Sequence, residues 1–177
     1  MVPFSRFSGN SSNVFKVGRQ MVISKKMRRY IPSSEDFCYE EFPFYWLARV
    51  QGIYTQQLEK ALKKIGTDIP SWRVLFILKE QGKCSVSEIS VHAITKLSTV
   101  TRIIYRMKAE GLIETNTHAE DGRVTEVSLT EKGQNLITLA QQSTEKIFAR
   151  SFNNLTEGQL LKLNQTLEQL YKNLAED

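Results

Sequence analysis

The stretch from Ser85 to Leu129 constrains the fold more than any other part of the chain. Ser85-Val86-Ser87-Glu88 has the form of a capping box, in which the Ser and Glu side chains satisfy each other's free backbone N–H groups at a helix start. It predicts a short helix to about Ala93 with Val86, Ile89 and Ala93 turned inward. A few residues later Leu97, Val100, Ile104 and Met107 step by three and four, which predicts a second helix over about Lys96 to Glu110, closed by Gly111. Two short helices spaced so tightly read as a helix-turn-helix. Two runs rich in Thr, Val and Ile follow, Leu112 to Thr117 and Val124 to Leu129, on either side of a polar loop with Asp121-Gly122 near its tip. That is the pattern of a β-hairpin, and a hairpin directly behind a helix-turn-helix is a wing. The fold class expected is mainly α with a small β-hairpin wing.

Helical patterns flank this lobe on both sides. Phe44, Leu47, Tyr54, Leu58, Ala61 or Leu62, and Ile65 fall on one stripe, predicting a long helix over about Phe42 to Ile65 with Gly66 as its stop. Asp68 can cap the next helix, Pro70 sits in its first turn, and the helix runs to about Glu80. Its residues Trp72, Val74, Leu75, Phe76, Ile77 and Leu78 are apolar nearly all round, so a fully buried core helix is expected. Beyond the wing, Thr130 can cap a helix to about Ser151, and Thr156 with Gln159 forms a second capping box. Leu160, Leu163, Leu167, Leu170 and Leu174 then repeat at 3-4-3-4 spacing, a helix-packing seam. A single chain can bury such a seam internally, but pairing of the chain ends between two copies explains both the seam and the long first helix. The expected organisation is a leader over 1–35 and a domain over 36–177. Within that domain 67–130 form the lobe, and 42–66 and 131–175 the dimerisation helices of a homodimer.

Composition removes several function classes. A chain of 177 residues can bury one core without disulfides. The longest apolar run, Val74 to Leu78, is far short of the roughly 20 residues of a membrane span, so a soluble, cytoplasmic protein with no membrane partner is expected. Cys38 and Cys84 form no metal-ligand pattern and only two histidines are present, so neither a metal nor another cofactor is implied. Nucleophile elbows and phosphate-binding glycine loops are missing too, which argues against an enzyme. Residues 1–30 carry seven basic groups and no acid, more than the whole net charge of +5, so the remainder is slightly acidic. The basic balance therefore says nothing about the lobe. The leader itself reads as a flexible tail; a transit peptide, or translation from Met21 or Met27, are the other readings.

The second helix of the helix-turn-helix carries its chemistry opposite the apolar stripe. Ser98, Thr99, Arg102, Tyr105 and Arg106 cluster there, with Thr101 at the margin. Such a helix fits the major groove of double-stranded DNA, where arginine gives two parallel bonds to guanine and hydroxyls reach bases or phosphates. A plain solvated face has the same residue types. The wing adds Arg123, suited to a minor groove of negative potential, and Asp121, placed to orient an arginine. A winged-helix module that binds protein partners is the rival reading, since fold alone does not prove DNA contact.

Leu97-Ser98-Thr99-Val100-Thr101-Arg102, then Glu110-Gly111-Leu112-Ile113, then Asp121-Gly122-Arg123, then Leu129-Thr130-Glu131-Lys132-Gly133 resemble the signature of the MarR family, the multiple antibiotic resistance regulators. The resemblance covers roughly residues 40 to 175. It implies a two-fold dimer held by the first and last helices, a repressor on a palindromic operator, and contact from the wing arginine at Arg123. It also implies release by a small aromatic acid or phenol, bound where the dimerisation helices meet the lobe. Arg49, Trp72, Phe76 and His92 are the candidates there, an arginine beside aromatic walls suiting a planar carboxylate. Redox sensing through Cys38 is the other mode the resemblance allows. Its neighbours Glu35, Asp36, Glu40 and Glu41 disfavour a thiolate.

Overall fold

The computed structural model describes residues 14–17, 20–117 and 124–175. Two compact units are present, 1–53 and 54–177, with the boundary inside a helix.

In the first unit β1 (Val14–Val17) pairs antiparallel with β2 (Gln20–Ile23), Val14 opposite Ile23 and Val17 opposite Gln20. Short 3-10 turns follow at Lys25–Tyr30 and Tyr39–Glu41. Arg29 pairs with Glu41, and the Cys38 N–H donates to the Arg29 carbonyl at 2.9 Å. The Tyr39 and Tyr45 rings meet edge to face with centroids 4.4 Å apart, and the Trp46 indole N–H donates to the Glu40 carbonyl at 2.8 Å. Within the span expected as a leader, Arg29 takes part in two of these contacts. Neither an ion pair nor a ring contact of this kind leaves a periodic signal in sequence. Cys38 lies ahead of α1 (Pro43–Lys63), as expected.

The second unit holds the core. Leu58 and Leu62 of α1 are fully buried with Val74, Leu75 and Leu78 of α2 (Ile69–Gln81), Ile89 of α3 (Val86–His92), and Val100, Ile104 and Met107 of α4 (Leu97–Ala109). Asp68 caps α2, accepting from the Ser71 N–H at 2.8 Å, and the Ser85–Glu88 capping box opens α3. β4 (Ile113–Thr117) pairs with β5 (Thr125–Leu129) from Ile113 opposite Leu129 to Thr117 opposite Thr125. A third strand, β3 (Cys84–Ser85), lies against β5 with Cys84 opposite Val127. The sequence reading missed it, because two residues carry no periodicity. Cys84 is buried, and burial raises its thiol above the ordinary range, with Glu88 adding to the effect.

The junction of α4, β4 and α5 (Glu131–Ser151) is fixed by backbone contact. Gly111 closes α4 at φ +71, a conformation costly for a side chain-bearing residue. The Thr130 hydroxyl donates to the Gly111 carbonyl at 2.8 Å and accepts from the Gly133 N–H at 3.1 Å. Lys132 reaches the Glu110 carbonyl at 2.7 Å. Gly133 passes so close to the Leu112 backbone that no Cβ fits there.

α6 (Glu157–Ala175) begins with the expected Thr156–Gln159 box, but none of its residues is buried. Leu160, Leu167 and Leu170 are half-buried, while Leu163 and Leu174 are exposed. Within one chain the seam has no full partner.

Candidate nucleic-acid interface and effector cleft

α4 is presented by its buried side. Val100, Ile104 and Met107 anchor it in the core, which leaves the opposite side in solvent. The turn entering it is tight: Ala93 caps α3, Ile94 takes φ +50, and the Thr95 N–H donates to the Ser90 carbonyl at 3.1 Å. A β-branched residue in that left-handed region is strained, and the closed turn around it holds it there.

Ser98, Arg102 and Tyr105 are exposed, Tyr105 at 71%, and none of the three has a hydrogen-bond or ionic partner among the described residues. Thr99 and Thr101 are half-buried, and the Thr101 hydroxyl donates back to the Leu97 carbonyl at 2.8 Å. Leu97, expected inward, is 50% exposed, because it opens the helix on the margin of the buried stripe. Lys108, which the sequence reading left out, lies on the same flank and donates to the Thr115 hydroxyl at 2.6 Å, tying α4 to the base of the hairpin. Asp121 and Arg123 lie outside the described residues.

Arg106, expected on the DNA face, has partners within the chain. Its Nη2 lies 2.7 Å from an Asp68 carboxylate oxygen and donates to the Ser71 hydroxyl at 2.6 Å, and its Nε is 3.9 Å from Glu110. Partial burial alone would raise the Asp68 carboxyl. The bonds from Ser71 and the charge and bond of Arg106 outweigh it and hold the carboxyl below its ordinary value. Arg106 shares a helix face with Arg102, but its guanidinium is already engaged.

Elsewhere in this unit an open, mainly apolar cleft of about 710 Å³ is lined by Tyr54 of α1, Trp72 and Phe76 of α2, and Thr144, Glu145 and Phe148 of α5 among others. The Trp72 and Phe76 rings are 5.7 Å apart, and Tyr54 and Phe148 face each other at 6.3 Å. Burial raises the Tyr54 hydroxyl, against the opposing charge of Arg73. The Trp72 indole N–H is buried with no hydrogen-bond partner among the described residues. α2 is thus not enclosed all round as expected: Phe76 is 40% exposed, because one side of the helix faces this cleft. Of the four candidates, Trp72 and Phe76 come together here. His92 is exposed at the end of α3 and does not line this cleft. Arg49 belongs to the first unit, where its guanidinium lies 5.4 Å over the Tyr45 ring. Tyr54 and Phe148 escaped the sequence reading, since each looks like one more apolar position on a helical stripe.

A capped helix-turn-helix, an anchored second helix with exposed polar side chains, and an antiparallel hairpin behind it define a winged-helix fold. Residues 68–125 match the MarR family. The chain is 56% identical over 143 residues to the HTH-type transcriptional repressor IacR of Pseudomonas putida, covering 81% of this chain and 86% of that protein. It is 32% identical to the HTH-type transcriptional repressor MdtR of Bacillus subtilis, over 65% of this chain and 74% of that one. The fold is that of a MarR-family regulator from Silicibacter pomeroyi, with TM-score 0.71, 21% identity, and coverage of 79% of this chain and 94% of that one. A MarR mutant from E. coli in complex with operator DNA matches at TM-score 0.64 and 19% identity, over 71% and 90% of the two chains. The chain belongs to the MarR family, and it is a transcriptional regulator, not an enzyme. Among the described residues no helix is long and apolar enough to cross a membrane.

Proposed function

We propose that this protein is a homodimeric repressor that reads a palindromic operator through α4 and the wing and is released by a small aromatic acid or phenol. The observation that carries the DNA reading is the outer face of α4, where Ser98, Arg102 and Tyr105 are exposed and have no partner among the described residues, on a helix anchored from behind. Arg102 has its fork open for a bidentate bond to guanine, and Thr99 and Thr101 flank it. Arg123 on the wing adds groove or phosphate contact, with Asp121 orienting it. The uncovered leucine seam of α6 supports pairing between two copies, which sets two α4 helices about one turn of DNA apart.

The cleft supports the effector reading. It has the size and apolar lining of a small-molecule site, five aromatic side chains, and at Trp72 a buried donor without a partner among the described residues. Structures similar in fold include BpsR of Bordetella bronchiseptica, whose DNA binding is regulated by 6-hydroxynicotinic acid, and CouR of Rhodococcus jostii bound to p-coumaroyl-CoA. α2 joins the two functions: Trp72 and Phe76 line the cleft, while Val74, Leu75 and Leu78 share the core with α4. An occupant that shifts α2 shifts the base on which α4 rests.

Binding to a randomised duplex library at several salt concentrations tests the DNA reading. Arg102→Ala should cost about 1–3 kcal/mol and relax preference at one position in each half-site. Arg123→Ala should weaken all sequences alike and lower the salt slope by about one per subunit. Wild-type behaviour of both variants would overturn the reading in favour of a protein-binding surface.

A further inference from the structure

We infer that Arg106 does not read DNA but is the positioning residue that sets α4 against the N-terminus of α2. The inference rests on α4 being the reading helix. Asp68 uses one carboxylate oxygen to cap α2, accepting from the Ser71 N–H at 2.8 Å, and the other to hold Nη2 of Arg106 at 2.7 Å. The same Nη2 donates to the Ser71 hydroxyl at 2.6 Å, and Ser71 is only 3% exposed. One guanidinium nitrogen thus satisfies a buried hydroxyl and a capping carboxylate across 35 residues of sequence. Reading guanine requires two guanidinium N–H groups presented in parallel. Here Nη2 is engaged twice and Nε is turned toward Glu110 at 3.9 Å, so the fork is not available.

The contrast with Arg102 is direct. One turn earlier on the same helix, Arg102 is exposed and makes no hydrogen bond or ion pair among the described residues. The two arginines therefore divide the labour, one contacting the operator and the other fixing the height and rotation of α4 above the core. A charge-assisted pair of this kind confers geometry as well as energy. Without Arg106 the Ser71 hydroxyl loses its donor inside the protein, and the third turn of α4 loses its tie to α2.

Arg106→Ala, Asp68→Asn, their double variant and Arg102→Ala, compared on the randomised duplex library, test the inference. Asparagine caps a helix as well as aspartate does, so Asp68→Asn keeps α2 intact while removing the charge that holds Arg106. Arg106→Lys, with circular dichroism as the check on folding, replaces Arg106→Ala if the latter does not fold. We expect Arg106→Ala and Asp68→Asn each to weaken binding roughly tenfold across all sequences, with the wild-type base preference kept. The double variant should be no weaker than either single one, because both remove the same tie. A changed preference at any operator position in Arg106→Ala or Arg106→Lys overturns the inference, as does wild-type affinity in Asp68→Asn. Arg102→Ala separates the two levels: unchanged base preference there overturns reading by α4, and the positioning role with it.

Discussion

Replacing Gly133 by alanine tests whether the joint of α4, β4 and α5 is set by backbone contact. A Cβ at this position lies 2.1 Å from the Leu112 carbonyl oxygen, 3.1 Å from the carbonyl carbon and 3.3 Å from Cδ2 of Leu129. Carbon and oxygen in close non-bonded contact settle at about 3.3 Å, so something must move by roughly 1 Å. A flexible side-chain tip would yield cheaply, but the obstacle is main chain. The Leu112 carbonyl also accepts from the Thr130 N–H at 3.1 Å, and the Leu112 side chain is packed in the core. Overpacking of this kind costs about 3 kcal/mol, against about 1 kcal/mol gained by replacing glycine inside a helix. The net loss of about 2 kcal/mol should lower Tm by roughly 4–8 °C in a chain of this size. Gly158→Ala is the control, since nothing lies within 4 Å of a Cβ there. It should be neutral or raise Tm by a few degrees, at about 0.4–1 kcal/mol. Melting followed by circular dichroism at one fixed protein concentration reads both, because association makes Tm depend on concentration. A Gly133→Ala protein melting at or above wild type would refute the argument from backbone contact.

Three further outcomes follow from the structure. Leu167→Asp places a charge in the uncovered α6 seam and should give a monomer or an aggregate by light scattering, whereas an unchanged dimer, or a DNA-competent monomeric wild type, removes the seam from the interface. The Asp68 carboxyl is held below its unfolded value of about 3.9, so its contribution to stability is complete above about pH 5 and fades as pH falls through the lowered folded value. Asp68→Asn should therefore melt below wild type at neutral pH and converge with it in acid; a gap of constant size from pH 7 to about pH 3 would contradict the pairing. In the cleft, Trp72→Phe removes the unpaired N–H but keeps the ring, and should weaken a bound hydroxycinnamate or benzoate roughly fivefold by calorimetry. Equal affinity in the variant would take that N–H out of the site.

What the sequence determined by itself is what depends on neighbours within about four residues. The Asp68, Ser85–Glu88, Thr130 and Thr156–Gln159 caps all form as read, because a cap is a bond between a side chain and a backbone group one turn away. The buried stripe Val100, Ile104 and Met107 fixes which side of α4 faces outward, and so places Ser98, Arg102 and Tyr105 on the exposed side. Tertiary structure decided everything that rests on distant partners. β3 exists only because Val127 comes to lie opposite Cys84. The cleft exists only because α5 brings Phe148 to Tyr54. Arg102 and Arg106 look alike in sequence, four residues apart on one face, and they part company because only Arg106 comes within reach of a capping carboxylate and a buried hydroxyl at the start of α2. A helix face shows which residues point away from its own core; it does not show which of them another element has already engaged.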